Sequence, residues 1–397
     1  MSEKLPKVVV CHPARQHSHQ LAIGLSKYGL LDRYISGVPC TDKSVPYSIR
    51  RFFKRELDAY RLDLNPSFLE HIFVAPLLRR WAARMLSRAY YVDVAHRADA
   101  IFDFMAARRI RALRPDIVVG YENSALLTFR AAKGFGAKTV LDAASFHHAM
   151  QDQLFAPIES DHTHARIVRR KNMEIGLADI VMTVSELAAN SYRSAAIQNV
   201  FSCPVGVDLD QFDYSRRNVA DVSSRGIRFV YVGRISKQKG CDTLVRSFVE
   251  LQSLNPEIGL TVIGSVVDNE IIVGAKGIKY IPQLSHSQLA EELNNHDVLV
   301  LPSAFDSFGM VVVEAMACGL PAIVSEHVGA RELVVPGKTG HIVRFGDHAS
   351  LMSAMSWYID HRDLLPSQST AAAQMASNYS WTAYHARAVQ IITGGNS

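Results

Sequence analysis

Two acidic residues, Asp306 and Glu314, stand eight positions apart within DVLVLPSAFDSFGMVVVEAMACGLPAIVSEHVGARE, Asp297 to Glu332. The run opens as an apolar strand and passes through a polar loop containing Asp306 and Gly309. It continues as a helix carrying Glu314 until Gly319 and Pro321 stop it. A carboxylate in a strand-end loop and another inside the next helix can address different parts of one ligand, while the helix N-terminus offers it backbone N–H groups. A charged, hydroxyl-bearing molecule fits that arrangement. A second junction, YVGRISKQKGCDTL, adds cations. Gly233 permits close backbone approach, Arg234 can make a forked contact with phosphate, and Lys239 returns as a flexible charge beside Gly240. Such a loop can neutralise a diphosphate. It is neither a GxxxxGK P-loop nor a short-spaced dinucleotide fingerprint, and taken alone Arg234 and Lys239 also read as exposed loop charges.

Histidines supply the other candidate groups. His147 and His148, in AASFHHAMQDQ after a strand-like run ending at Asp142, sit where a ring N–H can reach a hydroxyl or a phosphate. Structural hydrogen bonding is the competing explanation, and His147 is the candidate site residue of the pair. His12, Arg15, His17 and His19 follow the first strand, Lys7 to Cys11, ahead of a helix whose apolar face is expected to hold Leu21, Leu25 and Tyr28. They match no metal template. Asp208 and Asp210, in PVGVDLDQF, are two acids in a turn and too few for an octahedral cation. No metal site is expected.

Positioning these residues requires a β/α framework. Strands are expected at 228–232, 260–264, 278–282, 298–301, 321–324 and 341–343, with helices at 242–254, 285–294, 310–318 and 349–359. Ser185 and Glu186 are expected to cap a local helix, Pro204 and Gly206 to form a hinge, and SWTAYHARAVQII to form a final helix. At 397 residues and 48% hydrophobic content the chain can fill more than one core, which excludes a wholly disordered protein. The formal charge of +5 suits anionic substrates or an acidic membrane surface without choosing between them. Five dispersed cysteines lack metal or disulfide spacing and point to a reducing, cytoplasmic setting. No apolar run is long enough to span a bilayer, and MSEKLPKVVVCH lacks a signal-peptide core.

Residues 50–114 hold 14 Arg or Lys against seven Asp or Glu, an excess of seven positive charges, in a mainly helical segment. Long cationic side chains bordering apolar residues suit a membrane surface, a lipid-linked acceptor or a protein. The favoured explanation is a solvated helix exterior around buried Phe52, Leu57, Leu78, Trp81 and Leu86. No nucleic-acid module accompanies the charge, so no nucleic-acid partner is expected.

GRISKQKG, FDSFGMVVVEAMACGLPAIVSEHVGARE and VPGKTGHIV together resemble retaining, nucleotide-sugar-dependent glycosyltransferases of family 4. The resemblance is strong from Val230 to Phe345 and diffuse before His147. It implies an α/β chain of GT-B architecture with two facing Rossmann-like domains: an acceptor-binding domain at 1–205, a nucleotide-sugar-binding domain at 206–375 and a crossover helix at 376–397. It implies that Arg234 and Lys239 contact the diphosphate, that Glu314 holds the ribose, and that Asp306 is the sugar-side acid. Gly233, Phe308, Gly309, Met310 and Val311 would form the loop and helix start that meet sugar and phosphates, chiefly through backbone N–H groups. Asp306 stands where the family ordinarily has glutamate, one methylene shorter, and Val205 departs from the usual PNGVD. The implied reaction is sugar transfer, a hexosyltransferase activity serving polysaccharide biosynthesis, with retention at the anomeric carbon and domain closure excluding water. The nucleotide diphospho-sugar is then a substrate and no separate cofactor is expected. The acceptor would be a glycan or lipid-linked molecule, compatible with peripheral contact at the inner membrane surface. A nucleotide-sugar hydrolase and a noncatalytic nucleotide-sugar or polysaccharide-binding protein are the alternatives.

Overall fold

Val8–His12 (β1), VVVCH, is apolar toward both faces and buried along its whole length, the pattern of an interior strand in a parallel sheet covered on both sides. The computed structural model describes residues 5–38, 62, 64–154, 157, 159–216, 225–271 and 277–394. The cationic stretch 50–61, with Phe52 and Leu57, lies outside them, as does Cys40. Contacts divide the chain into two units, residues 1–184, 189–203 and 384–397 in the first, and 185–188 and 204–383 in the second.

The first unit continues from β1 through Ser18–Lys27 (α1), Leu31–Ser36 (β2), Leu69–His71 (β3), Val74–Met85 (α2) and Arg88–Leu113 (α3). There follow Ile117–Tyr121 (β4), Leu126–Lys133 (α4), Lys138–Ala143 (β5), His148–Leu154 (α5), Asp161–Leu177 (α6), Ile180–Thr183 (β6), Glu186–Ser194 (α7) and Val200–Ser202 (β7). The strands form one parallel sheet in the order β3-β2-β1-β4-β5-β6-β7, with Val10 opposite Tyr34 on β2 and Val119 on β4. Val9, Ile35, Val118 and Leu141 from the sheet meet Phe102 on α3 and Phe129 on α4 in one buried cluster. Each such side chain contributes about 1.5–3 kcal/mol by leaving water.

The second unit holds Arg228–Val232 (β8), Cys241–Leu254 (α8), Gly259–Ile263 (β9), Ile278–Ile281 (β10), His286–Leu293 (α9), Val298–Leu301 (β11), Met310–Ala317 (α10) and Ala322–Ser325 (β12). Gly340–Val343 (β13), His348–Asp360 (α11), Leu365–Ala376 (α12) and Trp381–Thr393 (α13) complete the chain. Its parallel sheet runs β10-β9-β8-β11-β12-β13. Residues 376–383 belong with the second unit, and α13 from Tyr384 onward belongs with the first.

Three local expectations need correction. Tyr28 caps α1 and is exposed, so the buried face of that helix is carried by Ser18, Leu21, Ala22, Gly24 and Leu25. β3 and α12 occur without having been expected, because a three-residue strand and an alanine-rich helix leave little periodic apolar signal. Trp81 lies on the outside of α2, whose buried positions are the small residues Ala75, Pro76 and Ala82.

Candidate functional site

Strand order reverses between β8 and β11 in the second sheet. Loops leaving the carboxyl ends of strands on either side of such a reversal open a crevice. The loop after β8 contains Gly233, Arg234 and Lys239, and the loop after β11 contains Asp306, Phe308 and Gly309. The two loops are tied together. Ala304 N–H donates to the Gln238 carbonyl at 2.9 Å, and Lys239 Nζ donates to the Phe305 carbonyl at 2.9 Å and to Asp306 Oδ2 at 3.0 Å.

Glycine makes the close approach feasible. Gly240, at φ +70°, would place a Cβ 2.1 Å from the Pro302 carbonyl oxygen, and Gly264, at φ +143°, would place one 1.9 Å from the Gly233 carbonyl oxygen. Neither position has room or backbone geometry for a side chain. The Tyr231 hydroxyl donates to the Arg234 carbonyl at 2.7 Å, fixing the loop backbone while the Arg234 guanidinium projects outward. Among the described residues no carboxylate lies within ion-pair distance of Arg234.

Gly309 adopts φ +89° at the N-cap of α10, a turn that aims the first N–H groups of the helix into the crevice. Val312 N–H donates back to the Gly309 carbonyl at 2.8 Å. Among the described residues no protein acceptor is recorded for the N–H groups of Gly309, Met310 and Val311, so they are available to an anion. Phe308 is buried beneath them, and its carbonyl accepts from Ala330 N–H.

One turn into α10, Glu314 is buried, and among the described residues no cation stands within ion-pair distance of it. Burial pushes its carboxyl up from 4.5 to about 7. Glu314 shares a cavity of about 270 Å³ with Gly233 and Arg234. Ser265, Gln283, Leu284 and His286 also line it. These four were not anticipated as site residues. A sequence signal did exist: Ser285 and Gln288 form a capping box that starts α9 directly after β10, placing 282–286 at the same end of the sheet.

Thus the cavity gathers Gly233, Arg234 and Glu314. Lys239 and Asp306 join each other at the adjoining loops, and Met310 and Val311 contribute the helix start. His147 belongs to the first unit. It is buried immediately before α5, its backbone N–H donates to Ser191 Oγ at 2.8 Å, and its Nδ1 accepts from Ala149 N–H at 3.3 Å. Burial, then the neighbouring His148 and Lys171, hold its pKa down at about 4, so the ring is neutral at pH 7. His148 turns away, with Nε2 2.7 Å from Asn172 Oδ1.

The first sheet also reverses order, between β1 and β4, and a polar cavity of about 380 Å³ opens there, lined by His12, Arg79, His96, Asp99, Tyr121 and Asp142 among others. The early histidines go to separate partners. His17 Nε2 lies 2.9 Å from Asp142 Oδ2, whereas His12 accepts from Ala14 N–H at 2.8 Å and is held at about pKa 4 by burial. Asp208 accepts from the N–H groups of Asp210 and Gln211 and closes a turn.

Residues 216–375 match the family described as Glycosyl transferases group 1. A D-inositol 3-phosphate glycosyltransferase of Arthrobacter sp. (strain FB24) is 28% identical over 256 residues, covering 56% of this chain and 60% of that protein. The chain therefore spans little more than half the length of the curated relatives it matches. Sucrose-phosphate synthase from Thermosynechococcus elongatus superposes with a TM-score of 0.72 at 18% identity, over 98% of this chain and 99% of that one. Anabaena Alr3699/HepE, solved in complex with UDP, gives 0.67 at 14% identity over 98% and 100%. The architecture is the two-domain GT-B fold, and the chain is related to the group 1 glycosyl transferases.

Proposed function

We propose that the protein is a retaining glycosyltransferase that moves a hexose from a nucleotide diphospho-sugar to a glycan or lipid-linked acceptor. The observation that carries this reading is the meeting, at the β8/β11 reversal, of a free guanidinium, open helix N–H groups and a buried carboxylate. The match of residues 216–375 to group 1 glycosyl transferases supports it.

In this reading Glu314 accepts hydrogen bonds from the ribose hydroxyls, and Arg234, Lys239 and the N–H groups of Met310 and Val311 hold the diphosphate. Their charge offsets the negative charge that grows as the glycosyl–phosphate bond breaks. Asp306, held by Lys239, takes the sugar side. The acceptor oxygen bonds to the anomeric carbon on the face the phosphate leaves, and its proton passes to the departing phosphate oxygen. Asp306 is therefore a positioning group for the sugar and not a covalent nucleophile. Neutral His147 offers a ring nitrogen to a sugar hydroxyl. The acceptor is assigned to the first unit, whose polar cavity at the β1/β4 reversal supports that choice. Among the described residues the free, buried thiols of Cys11, Cys203 and Cys241 support a reducing cytoplasmic setting.

The test supplies matched nucleotide sugars with cell-derived acceptors and follows product masses with and without acceptor. Acceptor-dependent gain of a hexose mass, suppressed in Arg234→Ala, Lys239→Ala and Glu314→Ala, is the expected result. Free sugar released equally in both arms identifies a hydrolase, and donor binding without any product identifies a noncatalytic binder.

A further inference from the structure

The helix α2 wears its large apolar residues on the outside. Leu77, Trp81 and Met85, spaced four apart along one side, are 37%, 55% and 67% exposed, while Ala75 and Ala82 fill the buried side. Across the Leu86–Ser87 link, Tyr90 at the start of α3 is 71% exposed. This inverts the arrangement expected of a solvated helix, in which the indole packs inward and the small residues face water.

The arginines divide between the two sides. Arg79 turns inward to Asp99, with Nη2 2.6 Å from Oδ1. Arg84 and Arg88 are exposed next to the apolar stripe, and among the described residues neither has a carboxylate within ion-pair distance. The positive charge of Arg84, after partial burial, pushes the pKa of Arg80 down. Among the described residues the patch is thus an aromatic and aliphatic stripe flanked by two cations without a carboxylate partner, Arg84 and Arg88.

We propose that α2 and the start of α3 dock on an anionic lipid bilayer, with Trp81, Leu77, Met85 and Tyr90 entering the headgroup boundary and Arg84 and Arg88 meeting acidic headgroups. Indole and phenol rings suit that boundary because one end is apolar and the other is wet. Lipid phosphates and carboxylates provide the countercharge that the protein withholds. A second copy fits poorly, since a two-fold contact through this face brings Arg84 and Arg88 of both copies together. At 12 residues α2 is too short to span a bilayer, so it lies in the plane of the surface. The inference does not depend on the glycosyl-transfer reading, because its test measures binding and not turnover.

The experiment is co-sedimentation of the full chain with vesicles of phosphatidylcholine alone and of phosphatidylcholine mixed with phosphatidylglycerol, across a salt series. Binding is expected to the mixed vesicles, to fall with salt, and to be accompanied by a blue shift in tryptophan emission that Trp81→Ala removes. The double variant Arg84→Glu, Arg88→Glu should weaken partitioning by roughly thirtyfold or more. Unchanged melting temperatures keep these exposed-site variants interpretable. Absence of binding to the mixed vesicles at low salt overturns the proposal, as does equal binding by the charge-reversed protein. Concentration-dependent dimerisation abolished by Trp81→Ala, without vesicle binding, overturns it in favour of a second copy.

Discussion

Lys239 Nζ lies 3.0 Å from Asp306 Oδ2, joining the loop after β8 to the loop after β11 across 67 positions of sequence. The same ammonium also donates to the Phe305 carbonyl, so it is oriented before any phosphate arrives. Lys239→Ala should reduce turnover by roughly a hundredfold through lost stabilisation of the leaving phosphate. Asp306→Glu adds a methylene and pushes the ammonium from that position. Its expected signature is a lower kcat at an unchanged melting temperature. Steady-state kinetics beside thermal unfolding measure both effects; a Lys239→Ala enzyme with wild-type kcat would remove Lys239 from the phosphate centre.

Glu314 sets a pH dependence whose sign follows from its burial. With the folded carboxyl at about 7 against 4.5 when unfolded, the folded state holds the proton over that interval while the unfolded state gives it up. Stability is therefore lost as pH rises from 4.5 and levels off above 7, by roughly 3 kcal/mol at most. Glu314→Gln removes this term. Its melting temperature should gain on the wild type as pH rises from 5 to 8, a comparison that cancels Glu174, whose carboxyl also stands at about 7. If ribose hydroxyls donate to Glu314, nucleotide binding ionises it and releases a proton near pH 7. Titration calorimetry in buffers of different ionisation heat reads that proton, and its absence would detach Glu314 from the ribose.

The two α/β sheets are legible because most of their strands are largely apolar runs of four to six residues separated by helices with regular apolar spacing, as in DVLVL before β11's loop; three-residue β3 is not. The chemical character of the loops was equally legible from residue type. Their mutual geometry was not: nothing local pairs Lys239 with Asp306 or brings Gln283 and His286 to the cavity of Glu314. Residue type alone assigns Trp81 to the core, whereas its helical phase places it outside. Positions 75, 78, 79 and 82 share the inner side, and three of those four are small or charged. Charged residues that turn inward, such as Arg79 and Asp103, defeat composition in the same way.

Gly240 lies where the two site loops touch, so it couples backbone geometry to Lys239. In Gly240→Ala the new methyl group meets the Pro302 carbonyl at 2.1 Å in a left-handed conformation, and one of the two loops must move. The expected cost is about 1–3 kcal/mol of strain together with weaker nucleotide binding, because the adjacent ammonium shifts with the loop. Urea unfolding and nucleotide titration check the two parts. A variant as stable and as tight-binding as the wild type would show that the crossing relaxes freely.

Helix α4, immediately beyond β4, has its N-terminus satisfied by carboxylates from two other helices. Glu174 of α6 accepts the N–H groups of Asn123, Ala125 and Leu126 at 2.6, 3.0 and 3.2 Å. Asp103 of α3 accepts those of Leu127 and Thr128 at 2.8 and 2.9 Å. Arg170 bridges the pair, with Nε 3.1 Å from Glu174 Oε1 and Nη2 on Asp103 Oδ2. Both carboxylates are fully buried, so each depends on these donors in place of water. Arg170→Met leaves two acids sharing a dry site without a cation, and should cost about 3–5 kcal/mol. Glu174→Gln keeps the shape but replaces an acceptor oxygen with an amide that points donors at donors, and should cost less than Arg170→Met because one carboxylate is gone. Chemical unfolding of the two variants at pH 7 measures this order. The reverse order would mean that α4 is held by its own packing, with Phe129 and Ala132 against the sheet, and not by the acids at its start.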